Sequence, residues 1–259
     1  ISAPAPVYML AWATGAYEHR DLGTTAQGTR VGVYWLPGGE KKALSGTKGL
    51  VAAFDWYERT LGPYPFGNEV ASVSARWGQG AYGGMEHHPY WHVAENAMSS
   101  AEVHAHEAAH GWYGNGVRIR CWEDFVLSEG TVSYLTVRAL AAAGTATEES
   151  TWRKYTAELE AAVAGGDAVA RPPGCNVHDI LKDGLFSSIP YMKGAFFYRA
   201  IADEIGAPAL DEILARFYQD HVGGAATTDE LLEAIQTGSG YDPTALAEAW
   251  LFGLGIPRS

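Results

Sequence analysis

His106-Glu107-Ala108-Ala109-His110 constrains this chain more than any other stretch. Residues four apart on a helix lie one above the other on one face, so the two imidazoles stand side by side and can share a metal ion. Neutral imidazole is a preferred zinc ligand, and two histidines plus one carboxylate leave a fourth position for water. Glu107 sits between the ligands and can point at that water, the general-base position of the H-E-x-x-H zinc-hydrolase signature. The plain alternative is an exposed helix turn with two solvated histidines. Against it, Ala101 to Trp112 is alanine-rich and carries few charges, as a buried helix does.

The third ligand is expected from the next helical pattern, Leu127 to Ala143, which carries Glu129 near its start among apolar residues. A carboxylate in that setting needs a partner, because buried carboxylates are nearly always paired or metal-bound. The longer H-E-x-x-H-x-x-G-x-x-H pattern does not apply, since Tyr113 and Gly116 stand where it requires Gly and His.

Three separated blocks carry a family resemblance. They are His106 to Asn115 with Trp122 to Gly130, then Gly83-Gly84-Met85-Glu86, and Pro190-Tyr191-Met192-Lys193-Gly194-Ala195. In order and approximate spacing the chain resembles the catalytic domain of the aminopeptidase N and leukotriene hydrolase family, zinc peptidases of the thermolysin-like (gluzincin) group. The resemblance implies an α+β fold, a thermolysin-like zincin domain. In it a small mixed sheet is followed by a mainly helical half carrying the H-E-x-x-H helix. It also implies that residues 1–37 are the terminal strands of a mostly absent N-terminal β-domain, leading into a catalytic domain over 38–259.

The expected chemistry is peptide hydrolysis with one zinc ion held by His106, His110 and Glu129, and Glu107 as general base. The resemblance assigns Tyr191 as the donor to the developing oxyanion. It assigns Gly83, Gly84, Met85 and Glu86 to substrate binding, with the Glu86 carboxylate on the free α-amino group, which makes an aminopeptidase. His87 follows Glu86 where the family usually has Asn, and the β-domain usually supplies another polar anchor for the amine. A thermolysin-type endopeptidase therefore stays open as the second reading. A catalytically impaired interaction module is the third, although no ligand, base or tyrosine is lost. Asp124, five residues before Glu129, is a candidate to orient a ligating histidine, a role such ligands nearly always need filled. Its alternative is a helix-start acid. His104 points to the opposite helix face from His106 and reads as structural. His87, His88 and His92 could make a second metal site, but exposed loop histidines are the expectation.

With 259 residues, 47% of them hydrophobic, the chain suits one large domain or two small ones. The net charge of −12 argues against nucleic acid, which wants clustered Lys and Arg. No run of eighteen apolar residues appears, so no membrane span is expected. A chain beginning at Ile1 is expected to be a processed or trimmed product. For Cys121 and Cys175 the first expectation is two unrelated buried thiols, and the second a disulfide of an exported enzyme. Thermolysin-like peptidases of bacterial type are often exported, which leans towards a secreted or periplasmic place. The substrate partner is a peptide, and oligomeric state has no signature here.

Along the chain, Val7 to Trp12 and Val31 to Leu36 read as strands with a polar link between them. Ala43 to Leu61 reads as one helix ended by Gly62-Pro63. Glu69 to Trp77 reads as an alternating strand, and Gly78 to Gly84 as a Gly-rich loop feeding an edge strand at the cleft. Helices are expected over Glu148 to Ala164, Met192 to Ile205, Ala209 to His221, Asp229 to Gln236 and Ala245 to Leu251. Thr227 and Glu230 form a capping box for the fourth of these.

Overall fold

A polar stretch makes the first strand. In the computed structural model, which describes residues 4–77, 83–175 and 186–257, β1 (Glu18–Thr24) pairs antiparallel with β2 (Arg30–Trp35). Val31, Val33 and Trp35 of β2 turn into the core. α1 (Glu40–Gly46) and α2 (Leu50–Leu61) then cross over to β3 (Glu69–Ala75), which lies parallel to β2. β4 (Gly84–Met85) and β5 (Tyr90–Ala94) complete a mixed five-stranded sheet of order β1-β2-β3-β5-β4. β4 is its edge, antiparallel to β5.

The second half is helical: α3 (Ala101–Ala109), a short β6 (Arg118–Ile119), α4 (Phe125–Ala142), α5 (Glu148–Gly166), α6 (Ser188–Ile205) and α7 (Ala207–His221). A short β7 (Ala225–Ala226), α8 (Thr228–Ser239) and α9 (Thr244–Ala247) follow. β6 pairs parallel with β7 and ties the segment after α3 to the α7–α8 connection. α4 is buried on all sides from Phe125 to Val137, as expected of a helix that is apolar all round. It packs on α3, α5 and α6, so the helix carrying Glu129 is the centre of the domain. Ser100 caps α3, its side chain accepting from the Val103 N–H at 3.3 Å. The Thr227–Glu230 capping box is present. No helix among the described residues is long and apolar enough to cross a membrane.

Several elements differ from expectation. Val7 to Trp12 is not a strand: Val7–Met9 form a single 3-10 turn, and Val7, Leu10 and Trp12 are 87%, 78% and 81% exposed. Strand-forming composition does not create a pairing partner, and the polar segment behind it is the one that meets β2. The helix expected from Ala43 to Leu61 is two. α1 ends at Gly46, which packs so closely on the Met98 carbonyl that a Cβ would collide, and α2 starts only at Leu50. β3, a central strand between β2 and β5, is buried along its length after Glu69 rather than alternating. α6 begins at Ser188 and so takes Pro190 and Tyr191 into its first turn. The edge strand beside the cleft is as expected, while residues 78–82 of the Gly-rich loop lie outside the described residues.

Candidate metal centre

α3 and α4 together bring three donor atoms to one point. His106 Nε2 lies 3.0 Å from Glu129 Oε2, His110 Nε2 lies 3.4 Å from the same oxygen, and the two Nε2 atoms are 3.3 Å apart. Ligands at about 2.0–2.1 Å from a tetrahedral zinc ion stand about 3.3 Å from one another, so this triangle has the size of one tetrahedral face. The Tyr113 carbonyl accepts from His110 Nδ1 at 2.9 Å, which keeps the proton there and leaves the Nε2 lone pair facing the triangle. The donor set therefore fits zinc by chemistry and by spacing.

The electrostatics ask for a cation. Burial opposes charge on His110, yet the Glu129 and Glu86 carboxylates outweigh it and hold the imidazole up to about 10. Burial would raise Glu129, but His110 and His106 pull its carboxyl down to about 2. Glu107 is buried and pushed well above the usual carboxylate range, chiefly by that burial, with Glu86 and Glu129 adding to it.

Close backbone approaches set these side chains. Gly84 on β4 faces the Glu107 carboxylate, which a Cβ would strike, so the edge strand can lie directly over that carboxylate. Gly114, at φ +104°, sits where a Cβ would stand 2.6 Å from His110 Nδ1 and 2.7 Å from Ser128 Oγ. From α6, the Tyr191 ring stacks on His106 with centroids 5.9 Å apart, and Phe125 meets its edge at 5.8 Å. Lys193, fully buried, donates to the Ala168 and Gly253 carbonyls at 2.7 and 2.9 Å and so clamps α6 to its surroundings. Glu86, Glu107, Glu129 and Tyr191 all line one cavity of about 770 Å³.

Other residues behave differently from their sequence reading. Asp124 does not orient a ligating histidine: it accepts from the Thr228 N–H at 2.9 Å and faces Arg171 at 3.3 Å, closing the start of α8. The orienting group on His110 is the Tyr113 carbonyl. His88 and His92 are buried rather than exposed. His88 Nε2 donates to the Glu107 carbonyl at 2.7 Å, so its Nδ1 accepts from the Tyr64 hydroxyl at 2.7 Å, bracing the last turn of α3. His87 and His92 share one contact, Nδ1 to Nδ1 at 2.8 Å. His104 is structural as read, held by Ser72 Oγ and the Met98 carbonyl. Cys121 and Cys175 are not separate thiols but a disulfide across 54 residues. Two residues near Glu86 were not legible as site residues: Asn115 donates to the Glu86 carbonyl at 2.6 Å, and the Tyr8 hydroxyl lies 2.9 Å from Glu86 Oε1. The Gly114-Asn115 pair inside the zinc block was the one available signal.

Known proteins share the family and the fold. Residues 84–250 match the Peptidase family M1 domain. Aminopeptidase M1-B of Oryza sativa subsp. japonica is 28% identical over 269 residues, covering 96% of this chain and 30% of its own length. The chain thus spans under a third of that relative. The structure of native yeast LTA4 hydrolase superposes with a TM-score of 0.82 at 21% identity, over 99% of this chain and 42% of that one. The M1 zinc metallopeptidase from Deinococcus radiodurans superposes at 0.75 and 20% identity, over 94% of this chain and 53% of that one.

Proposed function

The chain belongs to peptidase family M1, and from that premise we propose that it removes N-terminal residues from peptides, using one zinc ion held by His106, His110 and Glu129. The observation that carries the reading is the placement of Glu86 beside that triangle. Glu86, Glu107 and His110 offer ligand atoms within 4.8 Å of one another, so a substrate ammonium paired with Glu86 sets its first peptide bond near the base. A charge pair is strong where water is excluded, and the pairing restricts cleavage to chain ends.

When bound, zinc supplies Lewis acidity and lowers the pKa of its water towards neutrality. Glu107 takes the proton from the attacking water and hands it to the departing amine. The Tyr191 hydroxyl donates to the oxygen that becomes negative as the carbonyl carbon turns tetrahedral. His106 beneath the Tyr191 ring and Phe125 at its edge fix where that hydroxyl points.

The same reading assigns residues 38–259 to the catalytic domain and the segment before them to strands leading in from a β-domain. The boundary at 38 moves towards the N-terminus in this reading, because β1 and β2, both before residue 38, pair into the same five-stranded sheet as β3, β4 and β5.

The test is zinc content together with hydrolysis of one peptide carrying a free or an acetylated N-terminus. Bound zinc with cleavage of the free form alone is expected, and Glu86→Ala should remove that cleavage. Equal cleavage of both forms would move the assignment to an endopeptidase.

A further inference from the structure

We infer that Tyr8 is a second residue that recognises the substrate amine, its phenol turning from Glu86 to Asn115 when an ammonium group arrives. The inference rests on the aminopeptidase reading above and adds to it a residue outside the three family blocks.

The argument is one of hydrogen-bond supply. Asn115 is fully buried, and its Nδ2 donates to the Glu86 main-chain carbonyl at 2.6 Å. That bond fixes the amide orientation, because the reverse would set two oxygens against each other. Its Oδ1 therefore faces the Tyr8 hydroxyl, 2.6 Å away, as an acceptor. The same hydroxyl lies 2.9 Å from Glu86 Oε1, another acceptor. A phenol has one proton, and two acceptors claim it. Burial, with the Glu86 carboxylate adding, pushes the Tyr8 phenol up, so it stays protonated and cannot resolve the conflict by ionising.

The phenol proton serves only one of the two acceptors and leaves the other, on the exposed Tyr8–Glu86 side, to solvent, a place that an ammonium group can take with its charge. Such a group brings three N–H donors and no acceptor. One donor can satisfy Glu86 Oε1 and a second a lone pair of the phenol oxygen, while the phenol proton goes to Asn115. An acetylated amine brings one N–H and no charge, and cannot fill both places. Tyr8 can be held there because Val7–Met9 close a turn, with the Met9 N–H on the Pro6 carbonyl at 3.1 Å and Met9 itself buried. Pro6 and Tyr8 both line the cavity that holds the metal triangle.

The test compares the zinc-loaded wild type with Tyr8→Phe, using a leucine anilide, its N-acetyl form, leucinamide as a competing ligand and acetohydroxamate as a zinc-binding inhibitor without an α-amine. Losing a hydrogen bond to a charged group should raise KM for the free anilide and the leucinamide inhibition constant by about tenfold. kcat and acetohydroxamate inhibition should change little, which a general structural lesion would not spare. Leucinamide binding to Tyr8→Phe as well as, or better than, to wild type would overturn the inference, the phenol then being at most a cover over Glu86. If wild type cuts both anilides equally, the aminopeptidase reading fails and takes the inference with it. If wild type discriminates and Tyr8→Phe discriminates equally, the inference alone fails.

Discussion

Gly130 and Gly194 meet backbone to backbone: a Cβ on Gly194 would stand 2.5 Å from the Gly130 Cα. Gly130 follows the metal-facing Glu129 on α4, and Gly194 lies one turn beyond Tyr191 on α6. The contact therefore sets the spacing between the His106–His110–Glu129 triangle and the Tyr191 side chain.

Gly194→Ala should force α4 and α6 apart. Overpacking a tight contact costs about 1–3 kcal/mol, and the shift moves the Tyr191 hydroxyl off its target. The expected result is a lower denaturant midpoint with kcat reduced more than KM is changed, while bound zinc stays stoichiometric. An alanine variant with wild-type kcat would show that the helix spacing does not govern Tyr191.

Tyr191→Phe and Glu107→Gln separate the two chemical roles from metal binding. Removing an oxyanion donor typically costs about 100-fold or more in kcat, and removing a general base about 100- to 10,000-fold. Neither residue is in the donor triangle, so zinc measured by atomic absorption should remain near one per chain in both. Zinc loss in Glu107→Gln would instead place that carboxylate among the ligands.

The parts of this site carried by spacing along one helix were legible in the sequence. His106 and His110 share a face whatever packs around them, and Glu129 announced itself as an acid among apolar neighbours. What could not be read was supplied by main-chain atoms or by distant segments. The Tyr113 carbonyl that orients His110 has no side-chain signature, so Asp124, nearby in sequence, was the natural candidate, yet it points to α8 instead. His88 appeared to be a loop histidine because nothing local reveals Tyr64 or the end of α3 as its partners. Val7 to Trp12 had strand composition but no neighbour to pair with, and Cys121 could not be matched to Cys175 without knowing which chain segments meet. The fold class followed from the resemblance; that Gly46 must pack against the Met98 carbonyl, far away in sequence, has no local signal.

The Cys121–Cys175 disulfide ties the cleft wall at Cys121 to the segment leading into α6. Closing a loop of this length removes unfolded-state entropy, and native disulfides of this kind contribute about 2–4 kcal/mol. Replacing both cysteines by serine should lower the urea midpoint and raise the m-value, because the uncrosslinked unfolded chain exposes more surface. An unchanged midpoint would mean that the packing around the 3-10 turn Trp122–Asp124 holds the segment without the bond.

His104 gives a pH dependence with a defined sign. Burial lowers its pKa to about 4, the Met98 carbonyl opposing only in part, against about 6.5 in the unfolded chain. The folded state thus favours the neutral ring. Its contribution is fully present above pH 6.5 and is lost as pH falls from there towards 4, because only the unfolded chain takes up the proton in that window. The slope is about 1.4 kcal/mol per pH unit for one such group. Unfolding free energies from urea titrations between pH 7 and pH 5 should fall less steeply in His104→Gln than in wild type. The difference between the two curves removes the shared contribution of the zinc ligands, which both proteins retain. Parallel curves would show that His104 gains a proton in the folded state as readily as in the unfolded one.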